Sequence, residues 1–134
     1  HLARLCLADM ALDAYYHSGG VTTTDAIWAG LPILTVAGPT PSAQTGVSVL
    51  KAARLPELIT YSLDEYEKRL HHLSANRDEL TAIRKKMIAS RDDVPLFNSA
   101  RLARHLEQSY VAMWDQYEAG NTPTGFDVPA LPQS

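Results

Sequence analysis

Apolar and polar positions divide this chain into two regimes. In the first half, short apolar blocks alternate with helical spacings of three and four residues. His1 to Ala8 reads as a helix with Leu2, Leu5 and Cys6 on one face. Asp9 to Asp13 reads as a short strand around Met10-Ala11-Leu12, and Ala14 to Val21 as a glycine loop. Thr22 to Ala29 follows as a helix, closed by Gly30 with Pro32 just beyond. Pro32 to Val36 is nearly all apolar, as a parallel strand covered on both faces is. A turn-rich loop, Ala37-Gly38-Pro39-Thr40-Pro41, leads into a helix from Ser42 to Ala53 with Val47, Val49 and Leu50 as its apolar points. Glu57-Leu58-Ile59-Thr60 is a short strand or an extended link.

The second half is helical throughout. Ser62 with Glu65 makes a capping box ahead of a helix to about Leu73, and Asn76 with Glu79 makes another ahead of a helix to about Ala89. Asn98 caps a long helix to about Ala119, where Leu102, Leu106, Tyr110, Met113, Trp114 and Tyr117 form one apolar stripe. Gly120 ends it. Residues 121–134 carry prolines and no periodicity, the pattern of a mobile tail. No internal repeat is visible. Trp28 and Trp114 are expected in cores.

Alternating strand and helix predicts parallel pairing through right-handed crossovers. Two clear strands and a third, weaker one fall short of the roughly five or six of a doubly wound sheet. The expected fold is therefore α/β: residues 1–120 as the back half of a Rossmann-like domain with its C-terminal helices attached. Such a piece exposes a sheet edge unless a missing N-terminal half covers it. A start at His1 with a helix already under way agrees with a piece of something longer.

Composition narrows the classes. At 134 residues and 46% hydrophobic the chain can bury a core, and its net charge of −3 offers no basic field for nucleic acid. No apolar run is long enough to span a bilayer. The single cysteine, Cys6, excludes an internal disulfide and suits a reducing, cytoplasmic compartment; its apolar surroundings predict burial. His71-His72 lies on a charged helix without a second ligand cluster, so no metal is expected.

The candidate chemistry lies in residues 17–30, His-Ser-Gly-Gly-Val-Thr-Thr-Thr-Asp-Ala-Ile-Trp-Ala-Gly. A strand, a glycine turn and a hydroxyl-rich helix start together form an anion site, because the first amides of a helix lack internal partners and its dipole favours negative charge there. Gly19 and Gly20 allow close approach of a ligand to the backbone. Thr22, Thr23 and Thr24 add hydroxyl donors, and His17 on the loop reaches toward phosphate or sugar. Asp25 cannot serve a phosphate but accepts bonds from ribose hydroxyls. A nucleoside diphosphate fits that division of labour. The plainer reading is that Thr22 with Asp25 is a helix cap; both readings use the same helix end. Asp13, at the carboxyl rim of the sheet, is read as bonding the loop backbone.

From His1 to about Asn121 the chain resembles the C-terminal end of the O-linked N-acetylglucosamine transferase family, including its bacterial relatives with tetratricopeptide repeats. The resemblance rests on His1-x-x-Arg4, Ala8-Asp9-x-x-Leu12-Asp13 and Gly19-Gly20-x-Thr22-Thr23-Thr24-Asp25-Ala26-x-Trp28-Ala29-Gly30-x-Pro32. Further on come Leu55-Pro56-Glu57-Leu58-Ile59, Pro95-Leu96-Phe97-Asn98 and Met113-Trp114. It implies the C-terminal half of a two-domain, metal-independent GT-B glycosyltransferase with a UDP-N-acetylglucosamine donor and a protein or peptide acceptor. It also implies that His1 packs on uracil, Arg4 lies near the base, Thr22 and Thr23 hold the diphosphate and Asp25 binds the ribose. The family's lysine near the phosphate would lie before His1, and the catalytic base is not assigned within this chain. Ala43-Gln44 stands where many relatives carry Ser-Arg, and Gly20-Val21 where animal members have His-Thr.

Three functions stay open at the level of sequence. The first is the donor half-site of a UDP-N-acetylglucosamine-dependent transferase acting on Ser/Thr hydroxyls with inversion. The second is a related transferase with another UDP-sugar or an Asn acceptor. The third is an inactive UDP-binding scaffold.

Overall fold

A computed structural model of the chain describes residues 1–131; the last residues of the expected tail, 132–134, lie outside the described residues. Two compact units are present, His1–Phe97 and the part from Asn98 onward. The long helix thus groups with the tail and not with the α/β part.

In the first unit the elements run α1 (Leu2–Leu5), β1 (Ala11–Leu12), α2 (Val21–Trp28), β2 (Ile33–Val36), α3 (Thr45–Ala52), β3 (Ile59–Thr60), α4 (Leu63–Ala75) and α5 (Arg77–Ala89). The strands form one parallel sheet in the order β1-β2-β3. Ala11 pairs with Ile33 and Leu12 with Leu34, while Thr35 pairs with Ile59 and Val36 with Thr60. The weaker strand of the sequence is therefore a real third strand. All four residues of β2 are buried, which explains their nearly all-apolar character; the one polar residue, Thr35, bonds Asp13.

The core lies where α3, α4 and α5 pack with the sheet: Val47, Leu50, Leu58, Ile59, Leu73, Ile83 and Met87 cluster with Ile27 and Ile33. Leu50, Leu58 and Leu73 are fully buried, each contributing about 1.5–3 kcal/mol by removal from water. Arg69 and Lys86 fasten the helices outside this core. The Arg69 guanidinium pairs with Glu79 at 2.8 Å, and Lys86 Nζ with Glu57 at 2.6 Å.

Several local expectations change. The first helix stops at Leu5, so Cys6 is exposed rather than buried. Helix α3 begins only at Thr45, after a tight 3₁₀ turn at Ser42–Gln44. Trp28 is 42% exposed; it rests edge-on against Phe97 at 5.0 Å, with the Arg91 guanidinium 4.8 Å from its ring centre. Ser62 caps α4 as expected, accepting from the Glu65 amide at 3.1 Å, while Glu65 reaches back to the Tyr61 amide. Asn76 does not cap α5: its side-chain amide donates to the His72 carbonyl at 2.7 Å, closing the helix before it. Glu79 instead accepts from His72 and Arg69, which hold its carboxyl below the ordinary value.

In the second unit α6 (Ser99–Glu118) is capped by Asn98, whose side-chain oxygen accepts from the Arg101 amide at 2.8 Å. Gly120 ends it with φ +68, in the left-handed conformation that suits glycine. The apolar stripe of α6 is exposed, Trp114 among it, against the expectation of a core position. The tail returns to its helix: the Leu131 carbonyl accepts from Arg101 at 2.7 Å, and its amide donates to His105 Nε2 at 3.3 Å.

Candidate functional site

The loop between β1 and α2 leaves the sheet at its carboxyl edge, where open α/β sheets receive ligands. A cleft of about 570 Å³ opens there, lined by His1, Leu12, Asp13, His17 and the turn from Ser18 to Thr23. His17 is exposed at its mouth. Arg4, Thr24 and Asp25 lie outside this lining. Arg4 and Asp25 join the site by another route: His1 Nε2 is 3.6 Å from Asp25 Oδ2, and the Arg4 guanidinium is 3.5 Å from His1 Nδ1. The structure thus links Arg4 and Asp25 through His1, which itself lines the cleft beside the glycine turn.

That helix start carries no side-chain cap; Gly20 is the residue at its N-cap. The Thr22–Asp25 cap is therefore not formed. The first bond of the helix runs from the Thr24 amide to the Gly20 carbonyl at 3.0 Å. Among the described residues nothing accepts from the amides of Val21, Thr22 and Thr23, as expected of an uncapped helix end. The threonines divide in function. Thr23 and Thr24 turn their hydroxyls back to the carbonyls of Gly19 (2.9 Å) and Gly20 (3.0 Å), and Thr23 is fully buried. Their donor hydrogens are spent on the helix, contrary to the sequence expectation of three free hydroxyl donors. Thr22 is exposed, and its hydroxyl has no partner among the described residues.

Asp13 organises the turn beneath. Its Oδ1 accepts from the Gly19 amide at 2.8 Å and the Ala14 amide at 3.0 Å. Its Oδ2 accepts from the Thr35 hydroxyl at 2.6 Å. This agrees with the reading of Asp13 as a residue that bonds the loop backbone. Sequence reasoning passed over its neighbours. Ser18 is buried; its hydroxyl accepts from the Gly46 amide at 2.7 Å and donates to the Ser42 carbonyl at 3.0 Å. The Tyr66 hydroxyl donates to the Asp13 carbonyl at 3.2 Å. Burial first, and then the Asp13 charge, raise the Tyr66 pKa above its usual value, against a lowering by that hydrogen bond. Gly46 has no room for a side chain: a Cβ there would meet the Asp13 carboxylate first, then Thr35 Oγ1 at 2.9 Å. A glycine in the first turn of a helix was the available signal.

A second loop, between β2 and α3, is latched to the first. The hydroxyls of Thr40 and Ser42 lie 3.3 and 3.4 Å from the Tyr16 carbonyl, and Gly38 sits directly on the Tyr15 carbonyl. The Gln44 side-chain amide donates to the Gly38 carbonyl at 2.6 Å. Among the described residues no group of three or more His, Cys, Asp or Glu side chains is placed to hold a metal ion. None of the helices there is long and apolar enough to cross a membrane.

A parallel sheet of this order, with its helices and its loop at the carboxyl edge, is the fold of the C-terminal domain of GT-B transferases. The chain belongs to glycosyl transferase family 41, whose profile matches residues 1–106. It is 36% identical over 96% of its length to the probable UDP-N-acetylglucosamine–peptide N-acetylglucosaminyltransferase SEC of Arabidopsis thaliana. It is 29% identical over 92% of its length to the probable enzyme of the same kind named SPINDLY from Solanum lycopersicum. A mutant O-GlcNAc transferase of Thermobaculum terrenum superposes with a TM-score of 0.82 and 28% identity over 89% of this chain and 23% of that one. The chain spans about 13% of the length of those two plant relatives.

Proposed function

We propose that this chain is the donor-binding segment of a UDP-N-acetylglucosamine-dependent protein glycosyltransferase. One observation carries the reading: an uncapped helix start, Val21 to Thr23, that lines an open cleft at the carboxyl edge of a parallel sheet. The diphosphate lies against the amides of Val21 and Thr22, with the Thr22 hydroxyl and His17 beside it. Asp25 takes the ribose hydroxyls, and His1, with Arg4 behind it, faces the uracil. Relatives named as UDP-N-acetylglucosamine–peptide transferases support the donor and the peptide acceptor.

The chemistry follows from charge. A Ser or Thr hydroxyl attacks the anomeric carbon and UDP departs, so negative charge builds on the β-phosphate. Fixed amide dipoles at the helix start stabilise that charge without reorganising. Attack from the face opposite the departing UDP inverts the anomeric centre. The base that accepts the hydroxyl proton, and the wall of the cleft that holds the acceptor, belong to the remainder of the enzyme in this proposal.

The test is calorimetric titration of UDP, with ADP as comparator, into the full-length enzyme and its Asp25→Ala variant. The variant should lose about 1–3 kcal/mol of UDP affinity through its ribose bonds. UDP and ADP binding equally, or an Asp25→Ala variant that matches the parent, refutes the assignment.

A further inference from the structure

We propose that Asp13 is a positioning residue for the donor diphosphate, acting through the Gly19 amide; this rests on the donor-site reading above. Asp13 lines the cleft, yet its carboxylate is already committed to Gly19, Ala14 and Thr35. Its charge repels a diphosphate, so its service to the site is geometric. By taking the Gly19 amide inward, the carboxylate fixes the peptide plane from which the chain turns into α2. The amides of Val21 and Thr22 are then left facing the cleft. The hydroxyls of Thr23 and Thr24 extend the arrangement by gripping the carbonyls of Gly19 and Gly20.

The carboxylate is itself held from several directions. The Asp13 backbone is fixed to β2 through its amide and the Leu34 carbonyl at 3.0 Å, and to α4 through Tyr66. Gly46 leaves the space that Oδ2 occupies. Bonded through its carboxylate to a second strand and through its backbone carbonyl to α4, with α3 packed close against Oδ2, Asp13 can transmit rigidity to a loop that has no regular structure of its own.

Charge and geometry predict opposite signs, which makes the role testable. In the full-length enzyme, UDP and uridine are titrated into the parent, Asp13→Ala and Asp13→Asn. Loss of positioning lowers UDP affinity by about tenfold or more in Asp13→Ala and leaves uridine within about twofold, because uridine does not use the helix-start amides. Asp13→Asn keeps an acceptor for Gly19 and restores most of the loss, although it has lost the same charge. Thr35→Val, which removes one anchor of the carboxylate at constant volume, shows the same split more weakly, and it decides the matter if Asp13→Ala does not fold. UDP binding that tightens in both Asp13 variants, that stays unchanged, or that falls in parallel with uridine overturns the proposal. A parent enzyme that binds no UDP overturns the donor-site reading itself.

Discussion

Replacing Gly46 with alanine sets two principles against each other. Gly46 lies in the first turn of α3, where helix propensity alone gives alanine an advantage of up to about 1 kcal/mol. Its surroundings oppose it: a Cβ would press on the Asp13 carboxylate, on Thr35 Oγ1 at 2.9 Å and on Ser18 Cβ at 3.3 Å. None of these is the loose end of a long side chain, since Asp13 and Ser18 are each fixed by hydrogen bonds. Overpacking of this kind costs about 1–3 kcal/mol, and pushing the carboxylate off one charge-assisted bond about 1.5–3 kcal/mol more. After subtracting the helix gain, Gly46→Ala should destabilise by about 1.5–5 kcal/mol. Urea unfolding measures this as a lowered midpoint at unchanged slope. Adding Asp13→Ala should relieve part of the loss, with a coupling of about 1 kcal/mol or more between neighbours in contact. A Gly46→Ala protein as stable as its parent would refute the packing of the carboxylate against α3.

Other substitutions probe separate parts of the frame. Ser18→Ala leaves the buried Gly46 amide without its acceptor and should cost about 1–3 kcal/mol in the same unfolding assay. Ser62→Ala removes the cap of α4 and should cost about 1 kcal/mol, whereas the same change at a site without a cap bond would cost less. Glu79, held low by His72 and Arg69, adds stability that is present above the ordinary carboxylate range and is lost as pH falls through its depressed folded value. The advantage of the parent over Glu79→Gln in thermal melts should therefore shrink on acidification; at 37% side-chain exposure it stays below about 1 kcal/mol even at neutral pH. An advantage that persists in acid would mean that the pair contributes through packing and not charge.

The fold was legible where burial imposes a period. The nearly all-apolar run at Ile33–Val36 reads as a covered strand, and Gly30 and Gly120 mark helix ends by conformation alone. Caps were less legible because they depend on which partner wins. Ser62, Asn76 and Asn98 look alike in sequence, yet Asn76 turns to the helix before it. The site showed the same division. The glycine turn and helix start could be read directly, because orphan amides are a property of the backbone. The threonine hydroxyls could not, since back-bonding to Gly19 and Gly20 competes with a ligand and the choice is made by burial. The network under the loop joins Asp13, Ser18, Thr35, Gly46 and Tyr66 from five places in the chain, and no spacing rule reaches across such separations. The exposure of Trp28 and of the α6 stripe has the same origin, because an apolar pattern states what a residue can bury and not what lies next to it.

The latch between the β1–α2 and β2–α3 loops bears on how the family could change. Tyr15, Tyr16 and Ser18 on one loop are fitted to Gly38, Thr40 and Ser42 on the other. A substitution in one loop is therefore judged by the other before any ligand arrives. Engineering a new donor preference by exchanging the glycine turn alone should yield a mismatched pair of loops. Exchanging both as a cassette keeps the fit and moves the specificity as a unit.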